Sequence, residues 1–396
     1  MKPQLLLICA LLVSRLVVGQ QNIDLIKENT YVVNSFNEDK IQDFLEKKIE
    51  NSQFIMLGEQ HGIKEISEIA NTIYNSAYQF GYNTLCIETS PFAAKTLDTL
   101  IKTQSNIEYS LKKLYEKYPV SIPFYNNKSD IQLFTNIASK KGELWGIDQV
   151  FMVEFRLVFD YLVNKNKNKK LKEAVIPLLK ESIIGYNIAV KNKDFTAPFI
   201  FKYTDELHER LLSLTTTSYE RKLLENLMET KKIYSYNFQK QYYMNNNERA
   251  RLMKQNFITY YTNTEKKPKV IFKLGANHVA KGLSATNVFD ISNLVSELAI
   301  INGKKSIHIY AIGVNGMQNL GHPFAPVSVV PFENSKNLPK EISGTINNQE
   351  GKFMVIDTEK LKSVANQLSD EMKRLVLAYD ILIYIKDCKA LEDLTD

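Results

Sequence analysis

Short, almost wholly apolar runs separated by long stretches of helical periodicity constrain the fold of this chain most strongly. Strands of a parallel sheet are buried on both faces, so they are apolar along their whole length rather than at alternate positions. Helices between such strands carry the chain from one parallel strand to the next. The pattern therefore predicts the α/β fold class, with a mostly parallel sheet flanked by helices. Six runs qualify as strands: 53–57, 83–87, 143–147, 269–274, 306–312 and 381–385.

The stretch between the third and fourth predicted strands has a different character. From about residue 152 to residue 262 the apolar residues fall at helical spacing, and no segment has the pattern of a strand. We therefore predict a long all-helical insertion between strands three and four. Residues 20–396 are assigned to a single α/β domain that contains this insertion.

Composition and charge exclude several classes of protein. The chain has 396 residues, of which 44% are hydrophobic and 24% are charged, a balance that supports a sizeable core and excludes a disordered chain. It carries 50 Lys and Arg against 44 Asp and Glu, a formal net charge of +6. The basic residues are spread evenly and are not interleaved with aromatic residues, so we expect no nucleic-acid partner.

The first residues predict export from the cell. Lys2 precedes an apolar run at 5–13, and Val-Val-Gly at 17–19 has the small-residue character of a cleavage site. We therefore assign residues 1–19 to a signal peptide and expect a secreted or periplasmic protein. Arg15 interrupts the apolar run, so stable membrane insertion is not expected.

Titratable side chains follow the first four predicted strands, at the point where each strand ends. In open parallel sheets, ligands bind outside the carboxyl ends of the strands. The sequence therefore predicts that these side chains share one rim of the sheet and form a site there. The four strand ends carry Glu59 and His61, Glu88, Asp148, and His278.

The loop after the first predicted strand has the composition of a catalytic loop. Gly58 and Gly62 bracket Glu59 and His61, so the backbone can approach a ligand closely. The carboxylate and the imidazole can face one pocket, where the carboxylate fixes the tautomer of the imidazole. A general base needs this arrangement to activate water. The helix before strand four places Arg249 near the same rim, where it can hold an anionic substrate group or stabilise an oxyanion.

Taken together, these motifs resemble the erythromycin esterase-like family over roughly residues 50 to 390. That family is related to the ChaN-like haem-uptake proteins and the Tiki-type proteases, which share the Gly-Glu-x-His loop. The segments that carry the resemblance are Gly58-Glu59-Gln60-His61-Gly62 with Glu65, Glu88, Gly146-Ile147-Asp148, Arg249-x-x-x-Met253-x-x-Asn256, Gly275-x-Asn277-His278-Val279 and the strand at 379–384.

The resemblance implies a hydrolase that cleaves an ester or a lactone and in which His61 activates water. It also implies that Glu59 and Glu88 assist His61, and that His278 lies in the same pocket. We expect a small-molecule ester substrate and no cofactor. Four further residues are assigned to substrate binding: Arg249, Asp148, Glu65 and Asn277.

Two alternatives to an esterase stay open. One is a ChaN-like protein that binds haem or a metal with the same imidazoles and carboxylates, and the other is a metal-dependent protease of Tiki type. A serine nucleophile has little support, because no Gly-x-Ser-x-Gly segment occurs. Cys86 lies within a predicted strand and is expected to be buried. Of the remaining histidines, we expect His208 on a helix surface, His308 buried in a strand, and His322 in a loop.

Overall fold

A mostly parallel sheet of eight strands forms the centre of the protein. The structure, a computed structural model, describes residues 24–321, 329–346 and 349–394. The sheet has the strand order β1-β9-β10-β6-β2-β5-β3-β4, and β7 and β8 form a separate antiparallel pair. The strands are β1 (Thr30–Val33), β2 (Ser52–Glu59), β3 (Tyr82–Ile87), β4 (Glu143–Gly146), β5 (Lys269–Gly275), β6 (Lys305–Gly313), β7 (Asn315–Asn319), β8 (Val329–Glu333), β9 (Phe353–Asp357) and β10 (Ile381–Ile385).

Strand direction brings the predicted strand ends to one edge of the sheet. Neighbouring strands from β10 to β4 run parallel, whereas β9 runs antiparallel to both β1 and β10. The six predicted strands correspond to β2 to β6 and β10, so the predicted fold class is confirmed. The sequence patterns did not predict β1, β9 or the β7–β8 pair.

Helices cover the sheet and form the long insertion. Helices α6 to α10 connect β4 to β5 together with a short 3-10 helix at Phe199–Lys202, so the described chain between these strands contains helices and loops, as predicted. The helices are α1 (Asp39–Ile49), α2 (Lys64–Tyr78), α3 (Pro91–Thr103), α4 (Ile107–Lys117), α5 (Ser129–Ser139), α6 (Phe155–Asn164), α7 (Lys169–Asn192), α8 (Asp205–Leu212), α9 (Ser218–Phe238), α10 (Tyr242–Thr262), α11 (Ile291–Ile301), α12 (Lys340–Ile346) and α13 (Asp370–Ala378).

Local sequence signals define the ends of several helices. The hydroxyl of Thr217 accepts a hydrogen bond from the backbone N–H of Glu220, whose carboxylate accepts one from the N–H of Thr217, so α9 begins with a capping box. Asn168 caps α7 in a similar way, through its side-chain oxygen and the N–H of Leu171.

The two faces of the sheet bury separate hydrophobic cores. Ile55 and Leu57 of β2 belong to one core, whereas Phe54 and Met56, which alternate with them, belong to the other. All four side chains are fully buried. Successive side chains of a strand point to opposite faces, so a central strand with a core on each side must be apolar throughout.

Two further sequence predictions concern the signal peptide and membrane insertion. Residues 1–23, which include the predicted signal peptide, lie outside the described residues. Among the helices of the described ranges, none is both long enough and apolar enough to cross a membrane.

Candidate active site

An open cleft of about 470 Å³ lies at the carboxyl edge of the sheet. Register explains the convergence there, because Glu59 at the end of β2 is paired with Gly275 at the end of β5 and with Ala311 in β6. The residues that line the cleft include Glu59, His61, Glu88, Arg249, Gly275, Asn277, His278 and Tyr310.

His61 presents one edge of its ring to this cleft. Gly62, the next residue, has a φ of +86°, and a Cβ on it would lie 2.1 Å from the carbonyl oxygen of Asn319, so only glycine fits this tight turn. The Nδ1 atom of His61 lies 3.0 Å from Oε1 of Glu59. A carboxylate can only accept, so Nδ1 carries the hydrogen of the neutral ring and Nε2 keeps a free lone pair.

A buried lysine holds Glu59 in its ionised form. Nζ of Lys273 lies 3.1 Å from Oε1 and 2.9 Å from Oε2 of Glu59, and both side chains are buried. Burial raises the pKa of Glu59, but the charge of Lys273 and the hydrogen bond from His61 outweigh it and the pKa is lowered. Burial lowers the pKa of Lys273, but the charges of Glu59 and Asp130 raise it above its ordinary value. The pair therefore stays charged beneath His61.

Glu88 accepts hydrogen bonds from two sides of the cleft. The backbone N–H of Gly275 donates to Oε2 at 2.5 Å, and Nη2 of Arg249 donates to Oε1 at 2.7 Å. Burial raises the pKa of Glu88, but the charges of His278 and Arg249 bring it well below its ordinary value. Oε2 lies 3.8 Å from Nε2 of His61. Glu88 is therefore an ionised acceptor beside the free nitrogen of His61.

Arg249 is held by two carboxylates rather than left free. Its Nε and Nη2 donate to Oδ1 and Oδ2 of Asp148 at 2.8 Å and 2.5 Å, a bidentate arrangement, in addition to the bond with Glu88. Nδ2 of Asn256 on the same helix, α10, donates to the carbonyl of Ile147 and fixes the helix against the end of β4. Arg249 thus fixes the relative positions of two strand ends.

His278 is a cation at neutral pH. Its Nδ1 donates to Oδ2 of Asp290 at 2.9 Å, and its Nε2 lies 3.6 Å from Oε1 of Glu88. Burial lowers the pKa of His278, but the carboxylates of Asp290 and Glu88 raise it to about 10. The cleft therefore has one imidazole with a free lone pair and one protonated imidazole that can donate a proton.

The missing side chain of Gly275 leaves space between the catalytic candidates. A Cβ at this position would lie 3.0 Å from Nε2 of His61 and 3.3 Å from Oε2 of Glu88. Because Gly275 has no side chain, both atoms stay open to the cleft, where a water or a substrate oxygen can approach within hydrogen-bond distance.

The structure brings most of the predicted site residues together. Glu59, His61, Glu88 and His278 converge, Asp148 contacts Arg249, and the exposed Asn277 lines the cleft. Glu65 does not reach the cleft: it is buried in the first turn of α2, where it pairs with Nζ of Lys352 at 2.5 Å and accepts from the N–H of Lys389. Its position four residues after His61 turns it to another face of the chain.

The remaining histidines lie elsewhere. His308 is buried, with Nδ1 2.6 Å from the carbonyl of Val279, as its strand position predicted. The surface position predicted for His208 is wrong, because that side chain is buried and lies 3.0 Å from the hydroxyl of Tyr203. His322 lies outside the described residues.

Sequence reasoning missed three contributors to the site: Lys273, Asp290 and Phe124. Lys273 had a signal, because a lysine within an apolar central strand must find a buried partner. Asp290 begins α11 as its N-cap, which is a common role for aspartate and gave no indication of His278. Phe124 comes from a loop between α4 and α5, and no local pattern connects it with His61.

The described lining of the cleft contains no serine, threonine or cysteine. Cys86 is buried within β3, and burial raises the pKa of its thiol well above the ordinary value. Ser90 caps α3 by accepting from the N–H of Ala93 and donates to the buried Glu154. Both residues therefore have structural roles.

Comparison with known proteins finds shared folds and no sequence match. No family model and no curated protein match the chain. A succinoglycan biosynthesis protein aligns with a TM-score of 0.63 at 15% identity, over 94% of this chain and 98% of its own. A protein from Bacillus cereus aligns with a TM-score of 0.59 at 14% identity, over 94% of this chain and 98% of its own.

A third solved structure carries the name that the sequence motifs indicated. A variant of the erythromycin esterase EreC, in its open conformation, aligns with a TM-score of 0.54 at 15% identity, over 93% of this chain and 99% of that one. Identities this low show a common fold and leave substrate and activity undecided. The chain has the erythromycin esterase-like fold.

Proposed function

We propose that the protein is a hydrolase that cleaves an ester or lactone with a water molecule activated by His61, without a covalent intermediate. The observation that carries this proposal is the state of His61. Its Nδ1 is held by an ionised Glu59, and its Nε2 faces an open cleft with a free lone pair. This geometry is that of an oriented general base.

The other groups of the cleft supply the remaining steps. Water bound between His61 and Glu88 loses a proton to Nε2 of His61 as its oxygen bonds to the carbonyl carbon of the substrate. The resulting tetrahedral oxyanion collapses and the bond to the leaving oxygen breaks. The protonated His278 donates a proton to that oxygen, and exchange with solvent returns both imidazoles to their starting states. The carboxylates of Asp290 and Glu88 raise the pKa of His278 and keep it protonated for this step.

A covalent route has no support from the cleft. The described lining contains no hydroxyl or thiol of serine, threonine or cysteine. The carboxylates of Glu59 and Glu88 are both engaged by cations, which reduces their nucleophilicity. Direct attack by water is therefore the simplest reaction for this set of groups.

Two finer statements belong to the same proposal. We propose that the leader at 1–19 directs the protein to the periplasm or the outside of the cell. Haem or metal binding in the cleft stays a prediction from the sequence. The described residues contain no group of three or more His, Cys, Asp or Glu side chains arranged for a metal ion.

The test is hydrolysis of a panel of simple esters and lactones by the purified protein. The expected result is turnover of at least one substrate and a loss of at least ~100-fold in His61→Ala, since a general base contributes about 10²–10⁴-fold. Glu59→Gln should give a smaller loss, because the imidazole is then free to adopt the other tautomer. Tyr109→Ala, at an exposed position on α4, is the matched control and should retain wild-type rates. A panel with no turnover, or a His61→Ala variant with near-normal activity, would overturn the proposal.

A further inference from the structure

We propose that Phe124 is a positioning residue, which holds the plane of the His61 ring so that Nδ1 faces Glu59 and Nε2 faces the cleft. The inference rests on the proposed role of His61 as the base. It assigns a function to a loop residue that lies outside the predicted strand-end motifs in the sequence.

The first observation is a close parallel stack. The ring centroids of His61 and Phe124 lie 3.9 Å apart, with only 10° between the ring planes. Phe124 therefore covers one face of the imidazole, and the ring edges that carry the two nitrogens stay open to their partners. Aromatic pairs in such contact stabilise a geometry beyond the area that they bury.

The second observation is backbone strain at the same residue. Phe124 has a φ of +70°, in the left-handed region that bulky residues rarely adopt. Such a conformation costs on the order of 1–3 kcal/mol and persists where the surrounding structure enforces it. The strain occurs at the residue whose ring contacts the catalytic candidate.

The third observation is how firmly the loop is anchored. Nδ2 of Asn127 donates to the carbonyl of Phe124 at 3.0 Å, and the hydroxyl of Tyr125 donates to the carbonyl of Lys273 at 3.2 Å. Lys273 is the residue that holds Glu59. The loop that carries Phe124 is therefore fastened to the strand that orients the partner of His61.

Geometry explains why a stack is needed in addition to Glu59. A single hydrogen bond at Nδ1 leaves the imidazole able to swing about that bond, which moves Nε2 away from Glu88. It also leaves the ring able to break that bond, after which either nitrogen can carry the hydrogen. Both nitrogens lie in the ring plane, so a neighbour that fixes this plane fixes the directions in which Nδ1 and Nε2 point. Small misplacements of reacting groups reduce rates strongly, up to about 10²-fold for about 1 Å.

The test compares four variants of one loop in the full-length protein. Phe124→Gly removes the ring and relieves the strain, Phe124→Ala removes the ring and keeps the strain, and Phe124→Tyr keeps the stack. Val120→Gly is the matched control, because Val120 has a φ of +61° in the same loop and its replacement relieves strain without touching the stack.

Two readouts separate positioning from a structural role. Nitrogen-15 NMR reports the tautomer of His61, whose signals are identified by their loss in His61→Ala, and steady-state kinetics separate kcat from KM. We expect Phe124→Gly and Phe124→Ala to show mixed tautomers and a fall of about 10-fold in kcat with KM nearly unchanged. Phe124→Tyr and Val120→Gly should behave as wild type.

The outcomes distinguish this inference from the proposed function. A single Nδ1–H tautomer in Phe124→Gly, or a wild-type kcat in that variant, would overturn the positioning role. If the wild-type protein hydrolyses no ester or lactone, the proposed function fails, while the tautomer spectra still decide whether Phe124 orients His61. If Phe124→Ala does not fold, Phe124→Gly carries the test alone.

Discussion

Replacing Gly275 by alanine tests where the attacking water lies. The backbone at this position has φ −54° and ψ 143°, a conformation open to any residue, so Gly275→Ala introduces no strain. The new Cβ would lie 3.0 Å from Nε2 of His61 and 3.3 Å from Oε2 of Glu88. A methyl group would thus crowd both atoms and exclude a water that bonds to them, and contacts this short require small shifts of the His61 and Glu88 side chains.

The expected magnitude follows from the loss of the bound nucleophile. General-base catalysis contributes about 10²–10⁴-fold, so kcat/KM should fall at least ~100-fold, which corresponds to about 2.7 kcal/mol or more in the activation free energy. The free energy of unfolding should change by no more than about 1 kcal/mol, because alanine also restricts the unfolded chain. Hydrolysis of the best ester in the panel and thermal unfolding measure the two quantities.

Gly344→Ala is the matched control for this substitution. A Cβ on Gly344 would meet no atom within 4 Å, and the residue lies in α12, where alanine is the better helix former by about 1 kcal/mol. Activity should be unchanged and stability slightly higher. If Gly275→Ala keeps activity within about 3-fold of wild type, the position of the water between His61 and Glu88 is refuted.

Four further predictions test the electrostatics and the leader. Lys273→Met should lower the free energy of unfolding by about 3–5 kcal/mol in urea denaturation, because it leaves the carboxylate of Glu59 buried and unpaired, and a double variant with Glu59→Gln should recover part of the loss. Asp290→Asn should lower the pKa of His278 from about 10, so the loss of activity at alkaline pH should begin at a lower pH than in wild type. An unchanged alkaline limb of the pH profile would contradict the role of His278 as the acid. In wild type the stability supplied by protonated His278 should be full below about pH 6.5 and lost as pH rises through about 10. The exported protein should lack residues up to Gly19 in a mass spectrum, and intact retention of the leader would contradict export by a signal peptide.

The parallel strands, including β4 at one edge, could be predicted from sequence, whereas β1, β9 and the β7–β8 pair could not. Strands buried on both faces require continuous apolar residues, and β2, β5 and β6 supplied them. β1 and β9 are only 4 and 5 residues long and pair with each other across most of the chain, so no local sequence pattern predicts their pairing. β8 contains Pro331, which disfavours a strand when only the local sequence is considered, although strands at the edge of a sheet can contain proline.

The same contrast applies to the candidate site. Glu59, His61, Glu88 and His278 could be placed together because parallel strands share one carboxyl edge, a property of topology. The orientation of a side chain within a helix turn is a finer property, and Glu65 was assigned to the substrate only through the family motif that places it four residues after His61. Lys352 lies 287 positions further along the chain, so its ion pair with Glu65 could not be anticipated.

The position of β5 in the sheet determines how the cleft comes to exist during folding. β5 spans residues 269–275 and lies between β2 and β3, which end at residues 59 and 87, so these two early strands cannot complete the centre of the sheet until the whole insertion has been synthesised. Pairings this distant along the chain slow folding and leave strand edges open to other chains in the meantime. Gly275 and His278 arrive with that same segment. The cleft is therefore complete only after β5 has entered the gap between β2 and β3, because until then it lacks Gly275 and His278.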